Sequence, residues 1–162
     1  MEKNIGFEFV TANEALKVLE EFGEEPILKL PKRSTAKSAG YDCFSPISFT
    51  LKSGESIKLP TLIKAYMPAN CVLEVYPRSG LGFKHFLRLA NTVGIIDADY
   101  YNNPDNEGHI FVKLRNEGDK ELHVKKGDAI CQFIFKEYLL IDGDDFTGNE
   151  RVGGMGSTDK EK

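Results

Sequence analysis

Short apolar runs cut by turn residues constrain this chain more than any other feature. Cys71-Val72-Leu73-Glu74-Val75-Tyr76, His109-Ile110-Phe111-Val112-Lys113-Leu114 and Ala129-Ile130-Cys131-Gln132-Phe133-Ile134-Phe135 are too short, and too rich in β-branched and aromatic residues, to be helices. Lys52-Ser53-Gly54-Glu55 and Lys125-Lys126-Gly127-Asp128 have the composition of tight turns. Many short strands with regular turn signals predict an all-β chain, either a barrel or a jelly roll. The first stretch reads differently. Ile5, Phe7 and Phe9 alternate as one strand face, and Thr11 with Glu14 has the form of a capping box. Ala15, Val18, Leu19 and Phe22 then recur at helical spacing until Gly23, which predicts an amphipathic helix over residues 12–22 laid on the domain. From about Asp142 the chain turns polar and Gly-rich. We therefore expect one β domain over residues 1–145, with a strand–helix extension at 1–30. Residues 146–162 should form a flexible arm that orders over a ligand.

A chain of 162 residues suits a single domain with its own core. A net charge of −4 argues against a nucleic-acid polymer as partner, which demands a basic footprint, but not against a single nucleotide. No apolar run approaches the ~20 residues needed to cross a bilayer, and Met1-Glu2-Lys3-Asn4 lacks a signal pattern. Cys43, Cys71 and Cys131 are widely spaced within apolar stretches. That is the usage of buried, reduced thiols in a cytoplasmic protein, and no Cys/His spacing resembles a zinc site.

Three cassettes carry the chemistry. Pro77-Arg78-Ser79-Gly80-Leu81-Gly82 follows a strand and combines a guanidinium, a hydroxyl and glycines that let the backbone approach an anion. The last dozen residues, Arg151-Val152-Gly153-Gly154-Met155-Gly156-Ser157-Thr158, repeat that chemistry on a tail. An arginine there suits a terminal phosphate, because a guanidinium grips it bidentately. Between them, Asn91 to Gly94-Ile95-Ile96-Asp97-Ala98-Asp99-Tyr100 reads as a hairpin with Asp97 after an apolar pair expected to be buried. Asp97 there could orient and deprotonate a water. Separately these segments read as a loop with a surface arginine, a disordered terminus and an Asp opening a turn. Together they point to phosphoanhydride chemistry on a nucleotide.

Ala39-Gly40-Tyr41-Asp42, residues 77–82, residues 91–100, Gly127-Asp128-Ala129-Ile130-Cys131-Gln132 and residues 151–158 resemble, in order, the five motifs of trimeric dUTP diphosphatases. The extended start and the inserted residues 102–106 resemble a Gram-positive bacterial or phage subgroup. The resemblance implies a jelly-roll-like (β-clip) protomer, a homotrimer with shared active sites, and hydrolysis of dUTP to dUMP and pyrophosphate with Mg2+. It gives Asp97 the role of catalytic base, and Asp42 that of holding the metal through water. Arg78, Ser79, Gly80 and Gln132 would embrace the phosphates, with Arg151, Gly156, Ser157 and Thr158 closing over them. Asn91, Gly94 and Ile96 would read uracil, Tyr100 would sit against the deoxyribose, and Met155 would cover the base.

Three positions depart from the family pattern. Met155 holds a slot that is usually aromatic, Arg151 lies one residue nearer to it than is common, and Asp159 replaces a frequent glycine. Two other readings share the resemblance. A dCTP deaminase has a similar β-fold but would need a glutamate base in the nucleobase pocket. A nucleotide-gated regulatory protein, as among phage members, would engage a protein partner through residues 102–106 or through Asp142-Gly143-Asp144-Asp145.

Overall fold

The computed structural model describes residues 4–148, 151 and 153–155. Among the described residues, eleven strands form four antiparallel sheets. The central sheet runs β2 (Tyr41–Phe44), β11 (Ala129–Glu137), β6 (Cys71–Pro77) and β8 (Gly94–Asp97). A three-stranded sheet runs β4 (Ser56–Pro60), β9 (Phe111–Asn116) and β7 (Leu87–Leu89). Two ribbons complete it: β1 (Gly6–Phe9) on β5 (Ile63–Tyr66), and β3 (Phe49–Leu51) on β10 (Leu122–Val124). The strands among the described residues do not close a barrel, so of the two expected architectures the jelly-roll-like one holds.

Period-two burial places the core. β6 turns Cys71, Leu73 and Val75 inward, and β9 turns Val112, Leu114 and Asn116 inward. Leu73, Val75, Val112 and Leu114 meet Leu59, Ile130 and Phe133 in one cluster, the apolar interior that supplies most of the folding free energy. Gly54 and Gly127 take φ of 81° and 91° in the two expected turns, a conformation that costs glycine nothing.

The expected hairpin is an arch instead. β7 pairs with β9, while β8 pairs with β6. The chain at residues 90–93 therefore steps from one sheet to the other. Its turn is closed by Thr92 N donating to Leu89 O at 3.1 Å, with Thr92 at φ 66°. Both flanking strands send residues inward, Leu87 and Leu89 from one side and Gly94 from the other.

Helix α1 (Ala12–Phe22) forms where the sequence places it, and ends on Gly23 at φ 65°. Thr11 caps it by accepting from Glu14 N at 3.4 Å, but the reciprocal half of the box is missing. Thr11 N donates instead to Glu107 Oε2 at 3.0 Å, and the Glu14 carboxylate points into the protein. Ile5 precedes β1 and is exposed, so the alternating face begins at Phe7, which packs on Tyr41, Phe133 and Phe135.

Candidate active site

The end of β6 and the start of helix α2 (Ser79–His85) carry the Arg78 cassette. Arg78 takes the extended conformation at the helix start, and no side chain caps that terminus. Its Nε donates to Asp42 Oδ1 at 3.0 Å, and Ser34 Oγ donates to the other carboxylate oxygen. Gln132, across the sheet on β11, donates from Nε2 to Pro77 O at 3.0 Å. Gly40 lies against it so closely that a Cβ there would stand 2.2 Å from Gln132 Oε1. Arg78, Ser79 and Gln132 thus line one open cavity of about 680 Å³, while Gly80 is exposed and lines a different cavity with Arg78.

The arch builds a second cavity, of about 410 Å³. Asn91, Gly94, Ile95, Ile96 and Met155 line it together with Phe111. Gly94 forms its floor, because a Cβ at that position would meet Val75 Cβ at 2.9 Å. The two cavities share no lining residue. One protomer therefore does not bring the Arg78 cassette and the Asn91–Gly94 cassette into a single pocket.

Asp97 ends β8 and opens the 3-10 turn Ala98–Tyr100. The expectation that it sits at a buried rim needs correction. Its side chain is 55% exposed, and Ile95 before it is exposed too, because β8 is an edge strand that turns only Gly94 and, in part, Ile96 inward. Tyr100 is buried, and burial pushes its hydroxyl above the usual phenol range. That hydroxyl donates to His109 O at 2.7 Å and accepts from Asn106 Nδ2 at 2.9 Å. Tyr100 does not line the cavity; its ring lies behind Asp97, 5.7 Å from the Arg151 guanidinium.

The arm returns to this same place. Arg151 donates from Nη2 to Asp97 Oδ2 at 2.9 Å and from Nε to Asp99 Oδ1 at 3.1 Å. Gly154 N donates to Asp105 Oδ2 at 3.2 Å, and Met155 reaches the cavity. Arg151 is therefore held by the Asp97 and Asp99 carboxylates in this structure. A cation between two exposed carboxylates is drawn to the strongest local negative charge. Gly156, Ser157, Thr158 and Asp159 lie outside the described residues.

Magnesium fits this donor set only as a water-bearing ion. Among the described residues no three His, Cys, Asp or Glu side chains cluster to cage a metal. Asp42 is a lone carboxylate already bonded to Arg78 and Ser34. Such a site suits a hard cation that keeps its waters and takes its remaining oxygens from phosphates. Covalent thiol chemistry does not fit: all three cysteines are buried and free, and the Cys131 thiol is raised well above the usual range by its hydrogen bond with Cys43 and by burial.

A sequence model of dUTPase matches residues 27–158. The chain belongs to the dUTPase family. It is 48% identical over 132 residues to deoxyuridine 5'-triphosphate nucleotidohydrolase of Lactococcus lactis, covering 81% of this chain and 88% of that one. The crystal structure of dUTPase from Streptococcus mutans superposes with a TM-score of 0.69 at 39% identity, over 85% of this chain and 99% of that one. A dUTPase from phage phi11 of S. aureus gives a TM-score of 0.66 at 17% identity, over 90% and 98% of the two chains. That last likeness is one of fold alone. The match to the family model begins after α1.

Sequence reasoning missed Glu14, His109, Asp99 and Asp105 as neighbours of the site. Glu14 was hidden by its helix-cap spacing, and His109 by its place in an apolar run. The acidic stretch from Asp97 to Asp105 was a legible sign of a landing place for Arg151.

Proposed function

We propose that this protein hydrolyses dUTP to dUMP and pyrophosphate, as a homotrimer whose sites are each shared between protomers. Family membership supports the reaction class, and the observation that carries the mechanism is the exposed Asp97 carboxylate beside the Asn91–Gly94–Ile96 cavity. Asp97 holds a water in line with the α-phosphorus and takes its proton as the water oxygen bonds to phosphorus. The bond from the α-phosphorus to the bridging oxygen breaks, and pyrophosphate leaves with that oxygen. This is general-base catalysis in which the protein mainly positions and neutralises charge.

Asn91 and the backbone at Gly94 read the uracil edge, and a narrow pocket there would exclude thymine's 5-methyl group. The Tyr100 face beneath Arg151 is the surface for the deoxyribose. Arg78, Ser79, Gly80 and Gln132 take the phosphates. Asp42 would hold magnesium through water, and the ion when bound neutralises triphosphate charge. Arg151 would leave Asp97 and Asp99 for the terminal phosphate, freeing the base, while Met155 covers uracil and Gly156, Ser157 and Thr158 complete the closure.

Two observations support a shared site. The base-side and phosphate-side residues line separate cavities, so the phosphate residues for one cavity come from another copy. Leu139, Leu140 and Ile141 are 96%, 68% and 81% exposed, an apolar stretch that a second chain would cover. A regulatory protein partner would use the exposed acidic stretch at residues 142–145, since residues 102–106 are bonded inward to Tyr100 and to the arm.

The test is pyrophosphate release from dUTP, dTTP, dCTP and UTP in magnesium buffer. Only dUTP should turn over appreciably. Intact dUTP, or conversion of dCTP to dUTP, would contradict the proposal.

A further inference from the structure

A buried Glu14–His109 pair plays no part in that mechanism, yet it bears on the loop behind Asp97. Glu14 and His109 are 6% and 1% exposed. His109 Nε2 accepts from Leu62 N at 3.0 Å, which leaves the ring proton on Nδ1. Nδ1 therefore donates to Glu14 Oε1 at 2.9 Å. The same residue's carbonyl accepts the Tyr100 hydroxyl at 2.7 Å. A second bond, from Asn103 Nδ2 to Tyr100 O at 2.8 Å, ties the turn to the loop. Helix α1 grips that loop again through Thr11 and Glu107. A hydrogen-bonded path thus runs from a helix outside the family-matched residues 27–158 to the ring three positions beyond Asp97.

Burying a carboxylate is costly unless it is bonded, so this one is retained in a single geometry. Its consequence is a fixed His109 backbone, and with it a fixed Tyr100. We propose that Glu14 and His109 are positioning residues that set the Tyr100 ring against the sugar and so determine the preference for deoxyribose over ribose. The inference rests on the reading of Tyr100 as the sugar-facing ring. Discrimination against one added hydroxyl depends on a close wall. A ring free to shift a fraction of an ångström admits the 2'-oxygen while still accepting dUTP.

The experiment measures kcat/KM for dUTP and for UTP on the full chain, below the unfolding temperature of each variant. Loss of stability alone leaves the ratio of the two unmoved. Glu14→Ala should lower that ratio about tenfold, chiefly by raising activity on UTP, within the range one hydroxyl commands. Glu14→Asp keeps the charge but falls one methylene short; it should behave like Glu14→Ala, and carries the test should Glu14→Ala not fold. Glu14→Gln retains an acceptor oxygen at the same reach and should restore the ratio. An unchanged ratio in the shortened variants, or no rescue by glutamine, overturns the positioning role. Tyr100→Leu separates the two levels. If it lowers the ratio while the Glu14 variants do not, the sugar reading stands and the inference falls; if it leaves the ratio unchanged, both fall.

Discussion

Met155 shows what one side chain contributes to closure. It lines the base-side cavity yet is 64% exposed, so a flexible thioether covers the slot with little buried area. A thioether packs on a ring face less tightly than an aromatic ring stacks on it. Met155→Phe should lower KM for dUTP, by about threefold for a stacking gain of well under 1.5 kcal/mol, with kcat little changed. Steady-state kinetics of the two proteins decide it, and an unchanged or higher KM contradicts it. Arg151 adds a second constraint at this scale. It bonds Asp97 and Asp99, so under the proposed mechanism the residue that would grip phosphate would also cover the base until substrate draws it away.

Helix α1 and the loop it holds respond to acid together. Burial holds the His109 imidazole below the usual histidine range, while Glu14 pulls it back up. With the folded pKa below the unfolded one, the unfolded chain takes up the extra proton. The contribution of this group to stability is therefore complete above about pH 6.5 and is lost as pH falls below that. Melting temperature should be flat above about pH 7 and decline below about pH 6.5. His109→Gln, which does not titrate, should remove that decline; the same slope in both proteins would contradict the assignment. The helix itself was legible in its spacing and its Gly23 stop, because local periodicity dictates it. The direction of Glu14 was not, because a carboxylate at a capping-box position has a competing partner 95 residues away. The arch at residues 90–93 was obscured for a similar reason: a short strand pair separated by a turn does not reveal whether its two strands share a sheet. The Arg78 and Asp97 cassettes were legible because their chemistry is concentrated in contiguous residues.

The proposed trimer accounts for a single chain that offers the parts of a site in two places. Asn91, Gly94 and Ile96 line one cavity beside Asp97, and Arg78, Ser79 and Gln132 line another. If each site joins one protomer's Asp97 to a neighbour's Arg78, two inactive variants can repair each other. Light scattering should give three times the 18.1 kDa of a single chain. The decisive measurement is dUTP hydrolysis by trimers reassembled from equal amounts of Asp97→Asn and Arg78→Ala chains. Each homotrimer should be inactive, and random mixing should restore about a quarter of parental activity, the share of sites that receive both intact residues from different chains. Mixed trimers as inactive as their parents would contradict a site built from two protomers around Asp97.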